Sequence, residues 1–264
     1  MFIKRKFLWL LLMIMLLMAP VVLFSHTKTL GQKRRPSNQE PTVESSETES
    51  NDAKRQAKGR RYDKLKSGPI VELASDVEEL PLNSHWWKGI PALPIAESDA
   101  IVVGEVLNGK AHLSNNRSIV YSEFPTRVDQ ILKNSGPTIL TIGETIVGER
   151  LGGGVRFPSG KVQHYRVSKQ GLPQTNEKYV LFLKCNGEDY DIITGYSINK
   201  GRVSPLDGGG DLQFGKYEGK PVDSFLSELL EAKTLPCGKR LKRNEKPPPP
   251  FPRVINFVLL TSRN

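Results

Sequence analysis

The octapeptide KYVLFLKC, residues Lys178–Cys185, is the clearest indication of the fold class. A short run of β-branched, aromatic and leucine side chains is typical of a strand buried on both faces. Ala100–Leu107 (AIVVGEVL) has the same character. In Ser118–Leu132, small and apolar residues share one parity and mostly charged residues the other, which is the period of a half-buried strand. Thr138–Glu149 (TILTIGETIVGE) alternates as well and is predicted as a further strand.

More strands follow in pairs that are separated by turn residues. Arg156–Phe157 and Lys161–Val167 flank the turn Pro158-Ser159-Gly160, which predicts a hairpin. Asp191–Tyr196 and Ile198–Val203 form the next predicted pair. The sequence therefore predicts six or seven short strands with glycine-rich turns.

A single amphipathic helix follows the strands. Pro221–Lys233 (PVDSFLSELLEAK) places its apolar residues on one helical face, and Pro236 lies just beyond its end. Because no helices alternate with the strands, we do not expect a doubly wound parallel sheet. The prediction is a mainly β fold: a small OB-like, partly open antiparallel β-barrel or a sandwich, with one C-terminal amphipathic helix, preceded by a single transmembrane helix.

The N-terminus has the features of a membrane anchor. Phe7–Phe24 contains 18 residues without a charge, and a helix of that length spans about 27 Å, close to the hydrocarbon core of a bilayer. The basic residues Lys4–Lys6 precede it and favour a cytoplasmic N-terminus. We expect a single-pass anchor in the cell membrane with the β domain outside the cytoplasm. Cleavage as a signal peptide, giving a secreted or periplasmic chain, is the alternative.

Composition divides the chain into five parts. Residues 1–25 are the anchor, and residues 26–66 are a polar stretch that predicts a disordered linker. Residues 67–97 are an extended lead into the β domain, which occupies residues 98–235 with its helix at 221–233. Residues 236–264 form a basic, proline-rich tail that is predicted to be disordered; its end, Val254–Leu260, is apolar but far too short to span a membrane.

The net charge of +10 belongs to the segments outside the β domain. The anchor carries +3, the linker +5 and the tail +6, whereas residues 67–235 carry −4. A nucleic-acid-binding domain concentrates basic residues on its folded surface. Nucleic acid is therefore not an expected partner, and the basic segments indicate topology and tethering.

No motif in the sequence predicts catalysis, a metal or a cofactor. The glycine runs Gly152–Gly154 and Gly208–Gly210 lack the pattern of a phosphate-binding loop. None of the four histidines stands in a metal-binding spacing, and His164 is interpreted as an ordinary strand residue. Carboxylates are plentiful, but a general acid and base pair requires proximity in space. Those considered are Glu123, Asp129, Glu144, Glu149, Asp189, Asp191, Asp207 and Asp211.

Two further pairs of residues invite a specific role. Cys185 ends a predicted strand and Cys237 follows the helix, so the two could form a disulfide in an oxidising compartment, with two separate thiols as the alternative. Trp86 and Trp87 precede the domain; they either cap the barrel or bind a sugar or lipid interface.

Five segments resemble a group of uncharacterised exported bacterial proteins, over about residues 95–232. The segments are Ser98–Val106 (SDAIVVGEV), Val120–Leu132 (VYSEFPTRVDQIL), Val155–Gly160 (VRFPSG), Tyr179–Leu183 (YVLFL) and Ile192–Asp207 (IITGYSINKGRVSPLD). The resemblance implies an oligonucleotide-binding type of barrel, loosely similar to netrin-like modules, and carries no assigned activity. The protease inhibitors among the relatives of that barrel rely on a cysteine at the start of the domain, which this sequence lacks there.

Three functional hypotheses follow. The first is a membrane-tethered, non-catalytic extracytoplasmic β domain that binds a protein, peptide or glycan of the cell envelope through its loops or through Trp86 and Trp87. The second is an envelope hydrolase whose site combines scattered carboxylates or His164. The third is a structural spacer without a ligand.

Overall fold

The computed structural model confirms a mainly β fold with a partly closed sheet. It describes residues 40–47, 52–65, 68–73, 79–82, 89–187, 189–208 and 212–234. The segment Phe7–Phe24, predicted to be the anchor, lies outside these residues. Among the helices that the structure describes, none has the length and apolarity needed to cross a membrane.

Eleven strands and three helices lie in the described parts of the chain. The strands are β1 (Thr42–Glu44), β2 (Glu79–Leu82), β3 (Ala100–Val106), β4 (Lys110–Leu113), β5 (Val120–Asn134), β6 (Thr145–Leu151), β7 (Gly153–Arg156), β8 (Val162–Val167), β9 (Lys178–Cys185), β10 (Tyr190–Asn199) and β11 (Arg202–Pro205). The helices are α1 (Ala53–Asp63), α2 (Leu212–Gly215) and α3 (Val222–Thr234).

Five strands of the larger sheet pair in a ring. β3 lies between β5 and β9, β5 also pairs with β6, and β9 also pairs with β10, all antiparallel. β10 then meets β6 in parallel through only two residue pairs, Tyr190 with Gly148 and Asp191 with Glu149. β4 and β11 extend the sheet beside β5 and β10. A second, smaller sheet has the order β1-β7-β8-β2.

The predicted central strand is buried on both faces, as KYVLFLKC indicates. Tyr179, Leu181 and Leu183 of β9 join one apolar cluster within the ring. Val180 and Phe182 point the other way, into a cluster that includes Phe225 and Leu229 of α3. The alternation of side chains along a strand thus lets β9 contribute to both cores.

A buried ion pair links β6 to β10 where their backbones no longer pair. Arg150 of β6 donates to both carboxylate oxygens of Asp207, at 2.7 and 2.5 Å. Its guanidinium also donates to the carbonyls of Ile193 and Gly171. Asp207 accepts in addition from the Thr194 hydroxyl, at 2.7 Å, and from the Gly171 amide, at 2.9 Å. Both charged groups are buried and fully bonded, so they tie β6, β10 and two loops together.

The structure corrects two predictions of local structure. Thr138–Glu144 is a loop, and β6 begins only at Thr145, because Gly143 has a φ of +88° and its amide turns back to the carbonyl of Val128. Part of the predicted disordered linker is ordered: β1 pairs with β7, and α1 packs on the barrel. The polar sequence of α1 is stabilised by charges on the barrel surface, as described below.

We predict that Arg150→Met destabilises the protein by about 3–5 kcal/mol, because it leaves the buried Asp207 carboxylate without its counter-ion. Urea unfolding of the wild type and the variant measures this change. The double variant Arg150→Met/Asp207→Leu is the control, and we expect it to be more stable than Arg150→Met alone. A loss below about 1 kcal/mol in the single variant would show that the pair does not hold the two strands.

Candidate functional site

Three carboxylates from different strands of the barrel converge on one patch of its outer surface. Glu123 projects from β5, Glu149 from β6, and Asp189 stands directly before β10. Glu149 is only 1% exposed, and Asp189 is also buried. We call this group the acidic cleft. Three buried or half-buried negative charges at one place repel one another and need cations.

Lys58 of α1 supplies the central cation of the acidic cleft. Its Nζ lies 2.7 Å from Glu123 Oε1, 3.2 Å from Glu149 Oε1 and 2.5 Å from Asp189 Oδ2. The Lys58 side chain is 13% exposed, so these contacts are largely shielded from water. One ammonium group therefore bridges three strands of the barrel.

Neighbouring residues of α1 complete the neutralisation. Arg61 contacts Glu149, whose Oε2 also accepts a 2.9 Å hydrogen bond from the Tyr62 hydroxyl. Lys54 Nζ lies 3.6 Å from Asp189 Oδ2, and Arg55 lies 3.6 Å from Glu123 Oε1. The basic side chains are placed by helical spacing, with Lys54, Lys58 and Arg61 on one face of α1.

The titration of the acidic cleft follows from burial and charge together. Burial alone would lower the pKa of Lys58, but hydrogen bonds to Asp189 and Glu123 and the charge of Glu149 outweigh it and raise that pKa. Burial raises the pKa of Glu149, although Arg61 and Lys58 oppose the shift. The docked helix thus favours the charged form of its lysine at neutral pH.

The loop between β4 and β5 fixes the position of α1 along the barrel. Asn115 donates from its side-chain amide to the carbonyl of Gln56 at 3.0 Å, and the backbone amide of Asn116 donates to Asp63 at 2.8 Å. A Cβ on Gly59 would lie 1.9 Å from Asn115 Oδ1 and 3.2 Å from the Asn115 backbone nitrogen. Only glycine allows this close approach.

Two stacked tyrosine rings form the apolar part of the contact. Tyr62 of α1 lies on Tyr121 of β5 with the ring centroids 4.0 Å apart. Burial raises the pKa of Tyr121 to about 12, with the nearby charge of Arg55 opposing the shift. The Arg55 guanidinium lies 5.2 Å from the centre of the Tyr121 ring. Aromatic and cation–π contacts thus add to the ion pairs.

By itself α1 is a poor helix. It has 11 residues, a central glycine and no apolar stripe, and isolated helices of this length are marginal even with favourable sequences. Its N-cap is Asp52, whose side chain accepts from the Lys54 amide at 3.0 Å. We therefore expect α1 to need its contacts with the acidic cleft in order to stay helical.

His112 borders the acidic cleft without being bonded into it. It is buried, and its Nε2 lies 3.3 Å from Glu123 Oε2. Within the part of the chain that the structure describes, neither ring nitrogen of His112 makes a hydrogen bond. Among the same residues, no group of three or more histidine, cysteine, aspartate or glutamate side chains is arranged to hold a metal ion.

The structure separates the other residues that the sequence singled out. Trp86, Trp87 and Cys237 lie outside the described residues. Among the described residues Cys185 has no disulfide partner, and its Sγ lies 3.2 Å from the carbonyl oxygen of Gly187, to which it donates; the predicted bond to Cys237 stays a prediction. His164 Nδ1 lies 2.9 Å from Glu40 Oε2.

Of the remaining carboxylates that the sequence considered, Asp191 lies beside the acidic cleft. It pairs with Glu149 in the contact of β6 with β10, and burial raises the pKa of its carboxyl while Asn186 and Arg61 oppose the shift. Asp129 pairs with Lys178, and Asp207 pairs with Arg150. Asp191 accepts from Asn186 at 2.6 Å, and Asp211 lies outside the described residues. The sequence predicted a disordered linker at Lys54–Arg61, so it did not indicate that this segment is the helix that binds the acidic cleft. The signal available was the spacing of Lys54, Lys58 and Arg61, one and two helical turns apart.

Compared with models of known protein families and with curated proteins, the chain matches none.

We predict that Gly59→Ala has opposite effects on the free helix and on the protein. In a peptide of residues 52–65, alanine favours the helix by about 1 kcal/mol. In the protein its Cβ displaces Asn115, so α1 should undock and trypsin should cleave the Lys54–Arg61 stretch several-fold faster. Circular dichroism of the peptide and timed proteolysis of the protein measure the two effects.

The matched control for this prediction is Gly68→Ala, because a Cβ at Gly68 meets no atom within 4 Å. We expect its proteolysis rate to equal that of the wild type. Slower cleavage of Gly59→Ala than of the wild type would contradict the tight fit at Asn115.

Proposed function

We propose that the chain is a membrane-tethered, non-catalytic extracytoplasmic β module that binds a basic helical peptide in the acidic cleft. The uncharged segment Phe7–Phe24 supports the tether, as argued from its length and flanking charges. In this proposal the N-terminus lies in the cytoplasm and the β domain lies outside it, in the cell envelope. In the state described here, the basic peptide is the module's own α1.

The strand order supports an OB-like barrel for this module. The ring β3-β5-β6-β10-β9 has antiparallel neighbours except at the parallel contact of β6 with β10. A five-stranded, partly open Greek-key barrel is the architecture of OB folds, which bind extended ligands on their surface and in their loops. This architecture agrees with the resemblance in the sequence, and fold alone assigns no ligand.

The observation that carries the proposal is the occupied acidic cleft. Glu123, Glu149 and Asp189 all contact Lys58, so this acidic part of the described barrel surface already binds a basic helix. The contacts include a helix-spaced basic face, a glycine at the closest approach and a tyrosine stack. These features define the chemistry of a ligand. It is a helix with lysine or arginine at positions one and two turns apart, a glycine directly after the second of them and a tyrosine directly after the third.

The hydrolase hypothesis has less support than the binding hypothesis. The converging carboxylates are engaged by cations instead of facing a substrate, and His164 contacts Glu40 and not the acidic cleft. A general base must reach the proton that it removes. Trp86 and Trp87 lie outside the described residues, and their predicted role, either as a cap on the barrel or as contacts for a sugar or lipid interface, stays a prediction.

Binding of a synthetic peptide to the full chain tests the proposal. The peptide has the sequence of residues 52–65 and carries a fluorophore for anisotropy measurements. In the variant Lys58→Ala/Arg61→Ala, the internal helix loses its two main anchors, so we expect the peptide to bind in its place. The wild type should bind at least tenfold more weakly because its acidic cleft is already occupied.

The charge of the acidic cleft provides the controls. Adding Glu149→Gln to the double variant should abolish peptide binding, and a peptide with Lys58→Glu and Arg61→Glu should not bind at all. Affinity should fall as salt increases, because the Debye length shortens from about 30 Å at 0.01 M to about 10 Å at 0.1 M. Equal binding to the wild type and to Lys58→Ala/Arg61→Ala would refute the proposal.

A further inference from the structure

Two isoleucines are exposed on one loop of the barrel. Ile139 is 86% exposed and Ile142 64%, the highest values for large apolar residues among those the structure describes. They belong to the loop 135–144, whose first nine residues, SGPTILTIG, carry no charge. We call this loop the apolar loop. Single exposed apolar residues are common, but two on one uncharged loop make this loop the candidate contact surface of the described barrel.

The apolar loop is held in place by the strands around it. The Ser135 amide donates to the Asp99 carbonyl at 2.7 Å, and the Gly143 amide donates to the Val128 carbonyl at 2.7 Å. Leu140 points inward and is buried, between the two exposed isoleucines. The barrel therefore presents Ile139 and Ile142 on a fixed support.

The C-terminal helix ends beside the strand that leads into the apolar loop. Lys233, the penultimate residue of α3, donates from Nζ to the Leu132 carbonyl at 2.8 Å. Leu132 lies two residues before the end of β5, and the apolar loop follows directly. The described chain therefore ends, at Thr234, on the side of the barrel where β5 leads into the apolar loop.

The sequence that leaves there contains one apolar stretch. Val254–Leu260 (VINFVLL) is the longest uncharged apolar run after residue 234, and it follows a basic, proline-rich spacer of residues 235–253. A proline-rich chain extends by about 3.1 Å per residue, so the 19 residues 235–253 allow a span of up to about 59 Å. A segment on the same chain as its site needs no second molecule, and a tether long enough to span the distance raises its effective concentration.

We propose that Val254–Leu260 of the same chain covers Ile139 and Ile142. In an extended conformation Ile255, Phe257 and Leu259 share one face. Three apolar side chains can then pack on the two exposed isoleucines. This segment belongs to the same chain, and it is apolar and uncharged, so it matches the chemistry of Ile139 and Ile142. The inference does not depend on the proposed function, because it uses neither the acidic cleft nor the tether.

Photo-crosslinking in the full chain tests this inference. Ile139 is replaced by benzoylphenylalanine, the protein is irradiated, and tryptic peptides are identified by mass spectrometry. We expect a crosslink to the peptide Val254–Arg263 within the same molecule. Mixing isotope-labelled with unlabelled chains separates intramolecular from intermolecular products. Benzoylphenylalanine at Ser159, in the β7–β8 turn, is the control that should not yield this peptide.

A second pair of variants makes the test independent of crosslinking efficiency. Phe257→Asp/Leu259→Asp should reduce the crosslink yield about tenfold, the factor that a loss of about 1.4 kcal/mol produces. The matched variant Thr261→Asp/Ser262→Asp adds the same charge beside the apolar segment and should leave the yield unchanged. The inference would be overturned if position 139 crosslinked to lipid, to a second copy or to another protein, or if it gave no crosslink. An undiminished yield in Phe257→Asp/Leu259→Asp would overturn it as well.

Discussion

Glu123, Glu149 and Asp189 bring three negative charges to one patch of the barrel, and the position of α1 depends on how they are neutralised. Carboxylates so close together cannot all ionise in a buried setting without a cation among them. Lys58 provides that cation, with Nζ within 3.2 Å of an oxygen from each of the three. A segment that is too polar to fold by itself thereby becomes part of the domain.

The interior of the barrel supports this outer arrangement. Glu149 and Arg150 are consecutive on β6, so their side chains leave the strand on opposite faces. Arg150 binds Asp207 inside, where β6 and β10 have separated, and Glu149 binds α1 outside. β6 thus carries one buried charge on each of its faces, and each charge is matched by a counter-ion from another element.

The sequence predicted the elements whose signal is local. KYVLFLKC predicted β9 with the bounds that the structure shows, and the apolar face of residues 221–233 predicted α3 to within one residue at each end. Both succeeded because the periodicity of buried positions is visible within a few residues. The prediction of a strand at Thr138–Glu144 is wrong although the segment alternates, because Ile139 and Ile142 face solvent and not a core. The prediction of a disordered linker is wrong at α1, because the partners of Lys58 lie 65, 91 and 131 positions further along the chain, at Glu123, Glu149 and Asp189. No local pattern reports such pairing.

Hydrogen exchange of the wild-type chain at low and high salt tests the central claim, that charge neutralisation by Lys58 and its neighbours holds α1 in the acidic cleft. The account predicts that amides of residues 56–63 exchange by a local opening that becomes more frequent as salt screens the ion pairs, while amides of β3 and β9 keep their protection. Exchange of α1 in step with β3 and β9, unchanged by salt, would contradict it and would show that α1 is simply part of the barrel core.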